Sequence, residues 1–163
     1  MIEIIDNFLS RHQSEQVVKY CYNSLYYYGE RDTRDASRVP TGMVNEIDIT
    51  SEIYKLLKDN TQHLVPDLEI YRMYVNCFSP GEWPFFHSDG DSVDEFTFLY
   101  YVPTAEWDVD DGGETQLIVN NEIKGIMPIP NRMLYFNANI VHKATSFRNR
   151  WRWTLAIKYG HKI

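Results

Sequence analysis

The residues best suited to chemistry are a short triplet, His87-Ser88-Asp89, and one distant histidine, His142. Two neutral imidazoles and one carboxylate on a single metal form the 2-His-1-carboxylate facial triad, which suits non-haem Fe(II). Such a triad fills one face of the metal and leaves the opposite positions open. Open positions are what oxygen chemistry requires, so these three residues predict an Fe(II) site.

A basic residue further along the chain narrows the chemistry. Arg152 follows His142 by ten positions, and a guanidinium is a fixed bidentate fork for a carboxylate. In the same cavity as the metal, Arg152 would hold the far carboxylate of a dicarboxylic co-substrate whose near end chelates the iron. Arg150 shares the strand parity of Arg152 and is the alternative clamp, whereas Arg148 is expected to be exposed to solvent.

An ordered series of motifs surrounds the triad, and this order counts for more than the H-x-D triplet, which arises by chance in many chains. The series resembles that of the Fe(II)/2-oxoglutarate dioxygenases, and of their prolyl 4-hydroxylase-like branch in particular, over roughly residues 70–160. Its members, apart from the triad and Arg152, are Pro80-Gly81, Tyr100-Tyr101-Val102-Pro103, Trp107, Gly112-Gly113-Glu114-Thr115 and Thr154.

The resemblance implies a set of roles. His87, Asp89 and His142 would bind Fe(II), Arg152 with Thr154 would hold 2-oxoglutarate, and O2 would be the oxidant; the resemblance also admits ascorbate as a reductant. The implied reaction is hydroxylation of a substrate with decarboxylation of 2-oxoglutarate to succinate. A prolyl residue in a peptide or protein is the first candidate substrate. A free amino acid, another small molecule, an alkylated base and a non-catalytic jelly-roll binding module are the alternatives.

The strand that enters the site departs from the family pattern. Many relatives carry a tyrosine that donates its hydroxyl to the co-substrate, where this chain has Phe78, which cannot. Asn76 and Tyr74 share the face of Phe78 and are candidates to replace that bond. Tyr101 and Thr97 match positions that face the co-substrate in prolyl hydroxylases, with ordinary strand packing as the alternative for both. Leu117 is expected to line the apolar part of the pocket.

Composition bounds the class of protein. The chain has 163 residues, 44% of them hydrophobic and 15% aromatic, which predicts one globular domain over residues 1–163. A net charge of −7 argues against a general nucleic-acid partner. There is no apolar run of the roughly 20 residues that a membrane span needs, and no signal-peptide pattern at the N-terminus. We therefore expect a cytoplasmic protein, with Cys21 and Cys77 as buried free thiols.

Periodicity predicts an α+β fold that is mainly β. An opening strand is expected at residues 4–9, followed by a helix over Arg11–Tyr26 that starts with a Ser10–Gln13 capping box. Val17, Val18, Cys21 and Leu25 should face the sheet. Residues 29–47 read as a loop, either a lid or a solvated connector. A second helix should run from a cap at Thr50 or Ser51 to about Gln62.

The rest of the chain alternates with a period of two. The strands expected are at about 68–79, 85–89, 95–102, 115–120, 123–127, 132–136, 140–147 and 151–159, with a tight turn at Asn120-Asn121. A helical part over residues 1–66 followed by these strands predicts a double-stranded β-helix (jelly-roll) core over 67–163, with the helices packed on one sheet.

Alternation also assigns faces to the last strand. Arg152, Thr154, Ala156 and Lys158 share one face, and Trp153, Leu155, Ile157 and Tyr159 share the other. If the first set points into the barrel, the second must pack beneath the helices. The histidines outside the triad, His12, His63 and His161, are expected at the surface. The acidic segment from Glu106 to Glu114 is expected to be a solvated loop, with attraction of a basic substrate as the alternative. Trp83, Phe85 and Phe86 form either a substrate wall or part of the core.

Overall fold

The computed structural model describes residues 1–29 and 39–161, and these contain ten β-strands and two α-helices. Short 3₁₀ turns lie at Gln62–Leu64 and Val109–Asp111. Among the described residues, no helix has both the length and the apolar character needed to cross a membrane. The elements in chain order are β1 (Ile2–Ile5), α1 (Arg11–Asn23), β2 (Tyr27–Tyr28), β3 (Met43–Glu46), α2 (Glu52–Thr61), β4 (Glu69–Phe78), β5 (Phe96–Tyr101), β6 (Thr115–Val119), β7 (Glu122–Ile126), β8 (Met133–Asn137), β9 (His142–Ala144) and β10 (Arg152–Gly160).

The strands form two antiparallel sheets, as the prediction of a mainly β jelly-roll requires. The larger sheet has the order β1-β8-β5-β10-β4-β3-β2, and the smaller has the order β7-β6-β9. Leu117 and Ile126 of the small sheet share one apolar cluster with residues of the large sheet such as Tyr101. The two sheets therefore pack face to face, and β10 lies in the middle of the larger one.

Strand β10 separates two cores by its alternation. Leu155, Ile157 and Tyr159 are fully buried and pack with Val17 of α1 and Leu57 of α2, so this face meets the helices. The other face of β10 points between the two sheets, as Ala156 shows by its place in the inter-sheet cluster. The predicted assignment of faces on the last strand is confirmed.

The first helix begins as predicted and ends earlier. Ser10 and Gln13 form both bonds of the capping box, at 3.3 Å and 3.0 Å. The helix was expected to reach Tyr26 but stops at Asn23. The side chains of Asn23 and Ser24 end it by donating hydrogen bonds to backbone carbonyls of the last turn, each at 2.7 Å. Leu25 thus leaves the helical period. Its predicted place against the sheet is wrong, since it is 89% exposed.

Three other expectations differ in detail. The opening strand is Ile2–Ile5 instead of residues 4–9, because its register partner β8 sets its extent. Residues 85–89 form a single backbone bridge at His87 and not a strand. In the predicted loop 29–47, residues 43–46 are strand β3, paired with β4, while residues 30–38 lie outside the described part. The turn at Asn120-Asn121 is confirmed, with φ of 52° and 63°.

The core between the helices and the large sheet should carry much of the stability. Replacing Leu57, which is fully buried, by alanine should lower the free energy of unfolding by about 2–5 kcal/mol, because a cavity remains. Leu25→Ala, at a site that is 89% exposed, is the matched control and should change it by less than about 0.5 kcal/mol. Urea denaturation followed by circular dichroism measures both. Equal effects would contradict this placement of the core.

Candidate active site

Backbone hydrogen bonds bring the H-x-D triplet to the distant histidine. The amide of His87 donates to the carbonyl of His142 at 3.0 Å, and the amide of His142 donates back at 2.8 Å. The amide of Asp89 donates to the carbonyl of Ala138 at 2.9 Å. His142 is the first residue of β9, opposite Leu117 of β6. Main-chain hydrogen bonds therefore fix the backbone positions from which the three side chains extend.

The side chains converge as a metal site requires. One ligand atom from each of His87, Asp89 and His142 lies within 4.8 Å of the others. Nε2 of His87 is 3.5 Å from Oδ1 of Asp89, and Nε2 of His142 is 3.3 Å from Oδ2. With Fe–ligand bonds of about 2 Å, comparable to those of other first-row metals, a cluster of this size encloses a single ion.

The second nitrogen of each ring is already engaged. Nδ1 of His87 lies 3.1 Å from the carbonyl of Phe85, and Nδ1 of His142 lies 2.8 Å from the carbonyl of Ile140. A carbonyl accepts only, so the ring proton belongs on Nδ1 and the lone pair on Nε2. This is the outer hydrogen bond that metal-binding histidines usually make, and the donor set fits a divalent ion.

Burial sets the protonation states of this cluster. It lowers the pKa of the His142 imidazole to about 4, which leaves the ring neutral at physiological pH. Burial acts to raise the pKa of Asp89, but the ammonium of Lys158 together with the neighbouring His142 and His87 outweighs burial and holds that pKa well below its ordinary value. A neutral imidazole and an ionised carboxylate are the forms that bind a metal.

Arg152 lies between the sheets with 1% of its surface exposed. Its guanidinium donates to the carbonyl of Gly113 at 2.8 Å and to the hydroxyls of Thr115 and Thr154 at 3.0 Å and 3.3 Å. All three acceptors are neutral, and within the described ranges no carboxylate forms an ion pair with Arg152. Burial lowers its pKa because the cation has left water. Such a site suits an anion from outside.

Arg150, the alternative clamp, is engaged elsewhere. Its guanidinium is 3.0 Å from the carboxylate of Asp111 and donates to the carbonyl of Glu106 at 2.9 Å. It also stacks over the ring of Phe147, with 4.5 Å between its Cζ and the ring centroid. Arg150 therefore binds residues of the acidic loop, whereas Arg152 faces the interior. Arg148 is exposed, as predicted.

The expected pocket residues lie beside Arg152 or along the same inter-sheet space. The hydroxyl of Tyr101 donates to Thr115 at 2.7 Å, and its ring centroid is 5.6 Å from Cζ of Arg152. Tyr74 and Leu117 are buried in the same inter-sheet cluster. Asn76 is paired with Thr154 across β4 and β10. Its Oδ1 is buried and has no hydrogen-bond partner among the described residues.

Sequence reasoning did not give Lys158 a role. Lys158 is 4% exposed, and its Nζ pairs with Oδ2 of Asp89. Thr97, which was expected to face the co-substrate or simply to pack, donates to the same oxygen at 2.5 Å. The sequence did contain an indication of such a role, because period-two alternation places the charged Lys158 on the inward face of a buried strand.

The approach to the triad carries exposed aromatic surface. Trp83 is 77% exposed, while Phe85 and Phe86 are half-buried. Nζ of Lys143 lies 5.2 Å from the ring centroid of Trp83 and 4.8 Å from that of Phe86. Trp83 therefore does not belong to the core. The three histidines outside the triad are exposed, as predicted: His12, His63 and His161.

The acidic loop is mostly solvated. Glu106, Asp108 and Asp110 are exposed, which agrees with the expected loop. The indole Nε1 of Trp107 donates to the carbonyl of Gly112 at 2.9 Å, so the tryptophan ties the loop to the Gly-Gly turn. At Gly113 an added Cβ would lie 2.2 Å from the ring of Phe147, and φ is +81°. Glycine is thus required where the carbonyl meets Arg152.

Comparison with known proteins agrees with this geometry. The sequence model of the 2OG-Fe(II) oxygenase superfamily matches residues 69–159, which include the triad and Arg152. The chain belongs to this superfamily, whose members use Fe(II) and 2-oxoglutarate. Among curated proteins, no sequence matches the chain significantly.

Solved structures share the fold over nearly the whole chain. A prolyl hydroxylase of Trichoplax adhaerens, in complex with a peptide of the hypoxia inducible factor oxygen degradation domain, is 21% identical with a TM-score of 0.73, covering 97% of this chain and 82% of its own. A Pseudomonas putida prolyl-4-hydroxylase is 16% identical with a TM-score of 0.71, covering 99% and 93%. The viral collagen prolyl hydroxylase of Paramecium Bursaria Chlorella virus-1, with 2OG, is 14% identical with a TM-score of 0.74, covering 99% and 96%.

The triad geometry predicts how metal binding responds to mutation. His142→Ala should weaken Mn(II) binding by at least about tenfold, because one of three protein ligands is lost. Mn(II) serves as a stable stand-in for Fe(II), and free Mn(II) is counted by electron paramagnetic resonance. His63→Ala, at an exposed histidine, is the control and should leave the affinity unchanged. Unaltered binding by His142→Ala would place the metal elsewhere.

Proposed function

We propose that this oxygenase hydroxylates a prolyl residue in a peptide or protein, with 2-oxoglutarate as co-substrate held by Arg152. The observation that carries the co-substrate part is the buried guanidinium of Arg152, whose partners in the described structure are all neutral oxygens. A buried cation without a counter-ion is costly unless a ligand supplies the charge. The carboxylate of 2-oxoglutarate is such a ligand.

The inward face of β10 carries residues that would lie near both ends of a bound 2-oxoglutarate. Arg152 lies at one end of the strand and Lys158, which contacts Asp89 of the triad, lies near the other. Between them stand Thr154 and Ala156, and the small Ala156 leaves room for a ligand. A dicarboxylate that spans this face would reach Arg152 with one end and the metal with the other.

The roles of the remaining residues follow from their contacts. Thr115, held by Tyr101, fixes the guanidinium of Arg152, and Thr154 would share the bound carboxylate through its hydroxyl. Leu117 and Tyr74 would exclude water from the middle of the co-substrate. Asn76 would orient it, since its side-chain amide lies beside Thr154 and its Oδ1 lacks a partner. Phe78 is buried and can only contribute apolar surface.

His87, Asp89 and His142 would hold Fe(II), which when bound would activate O2, the oxidant of the reaction. The protein would contribute three ligands on one face, a cavity that excludes bulk water and the orientation of the reacting groups. Trp83 and Phe86 would form the wall against which the substrate rests. An exposed aromatic surface next to a triad histidine suits a proline ring in an extended peptide, and peptide contacts of this kind favour aromatic side chains.

The co-substrate assignment is tested by removing the charge of Arg152. Arg152→Met should weaken 2-oxoglutarate binding by about 2–5 kcal/mol, because a buried, charge-assisted contact is lost. An anaerobic titration of the Fe(II)-loaded protein, followed by the weak visible charge-transfer band of the chelate, gives the dissociation constant. Arg150→Met is the matched control and should leave that constant unchanged. The reverse result would move the clamp to Arg150.

The substrate assignment is tested with peptides. Proline-containing peptides should gain one oxygen atom by mass spectrometry and increase succinate formation, whereas the same peptides with alanine for proline should do neither. Trp83→Ala should raise the KM for the peptide and leave the affinity for 2-oxoglutarate unchanged, because Trp83 lies on the wall and not beside Arg152. Succinate formation stimulated only by small metabolites would overturn the prolyl assignment.

A further inference from the structure

A lysine ion-paired with a metal-ligating carboxylate is an unexpected component of this site. Lys158 is 4% exposed and pairs with Oδ2 of Asp89, which is itself shielded to 9% side-chain exposure. Nζ of Lys158 also donates to Oγ1 of Thr97 at 3.2 Å. A fixed positive charge therefore stands beside the position where a divalent cation would bind.

The two oxygens of Asp89 have unequal surroundings. Oδ2 contacts Lys158, accepts from Thr97 at 2.5 Å and lies 3.3 Å from Nε2 of His142. Oδ1 faces Nε2 of His87 at 3.5 Å. With Oδ2 held by two donors, Asp89 offers Oδ1 to a metal as a single-oxygen ligand. Thr97 contributes to this orientation without charge, whereas Lys158 contributes a charge as well.

The buried charges of the cavity determine how the ammonium of Lys158 affects metal binding. Asp89 brings one buried negative charge, while Lys158 and Arg152 bring two buried positive charges. A divalent metal that enters alone adds positive charge to a cavity whose ammonium already neutralises the one carboxylate ligand. Like charges a few ångströms apart repel strongly away from water. A dianion such as 2-oxoglutarate removes that repulsion.

We propose that Lys158 couples the two binding events: its ammonium weakens metal binding on its own and makes tight metal binding depend on an anionic co-substrate. This inference rests on the proposed function for its choice of anion. Coupling of this kind is reciprocal, so the metal must strengthen co-substrate binding by the same factor. Lys158 would thereby be a positioning residue that acts through Asp89 and through charge, without touching the substrate.

The test measures Mn(II) dissociation constants with and without 2-oxoglutarate, by electron paramagnetic resonance, in the 163-residue protein. In Lys158→Met, Mn(II) alone should bind at least about tenfold tighter, and the factor by which 2-oxoglutarate tightens it should fall by a similar amount. Lys158→Gln, a second neutral variant, should behave likewise. Lys158→Arg keeps the charge and should keep the coupling factor.

Two controls separate charge from orientation. Thr97→Val removes a hydrogen bond to Asp89 and no charge, so it should weaken Mn(II) binding equally with and without 2-oxoglutarate and leave the factor unchanged. Lys124→Met removes a positive charge from an exposed position on edge strand β7 and should change nothing. Thermal unfolding of each variant before titration confirms that it is folded.

The outcomes distinguish the inference from the proposed function. If the neutral Lys158 variants bind Mn(II) alone with unchanged or lower affinity, while 2-oxoglutarate still tightens binding in the wild type, the role of Lys158 is overturned and the proposed function stands. If 2-oxoglutarate fails to tighten Mn(II) in the wild type, the co-substrate assignment is wrong. If the neutral variants then bind Mn(II) alone more tightly than the wild type, the part of the inference that Lys158 weakens metal binding would still be supported.

Discussion

The structure depends on the alternation of strand β10, which lies at the middle of the larger sheet between β5 and β4. One face, with Leu155 and Ile157, is buried under the helices, and the other carries Arg152 and Lys158 into the space between the sheets. A slip of one residue would exchange the two faces, placing two cations under the helices and apolar side chains in the cavity. The apolar core thus fixes the position of the charges.

The backbone pairing of His87 with His142 is the second constraint. It joins the irregular segment after β4 to the first residue of β9. The triad is therefore built from two separate parts of the chain and not from one element. Carbonyls of Phe85 and Ile140 orient the two rings from behind. The orientation of the two imidazoles is therefore set by main-chain atoms, which side-chain substitutions elsewhere in the cavity leave in place.

The sequence predicted the metal triad and Arg152 from residue types and an order of motifs that resembles the family, and it predicted the two-faced last strand from period-two alternation. It did not predict that Lys158 meets Asp89, because that contact joins residues 69 positions apart and depends on how the H-x-D segment crosses β10. The early end of α1 was missed for a local reason, since side chains of Asn23 and Ser24 compete for its last carbonyls. The sequence did not predict the different surroundings of Arg152 and Arg150, because the partners of each guanidinium come from distant parts of the chain.

The reciprocal bonds between the main chains of His87 and His142 have a consequence for dynamics. A metal held by these two residues would close a loop between distant parts of the chain, in the manner of a reversible cross-link. The amide protons of this bridge sit at the junction that the ion would tighten, so their hydrogen-exchange rates would report occupancy of the site. Loss of the ion would loosen this junction first, while the helix-covered face of the large sheet stays packed.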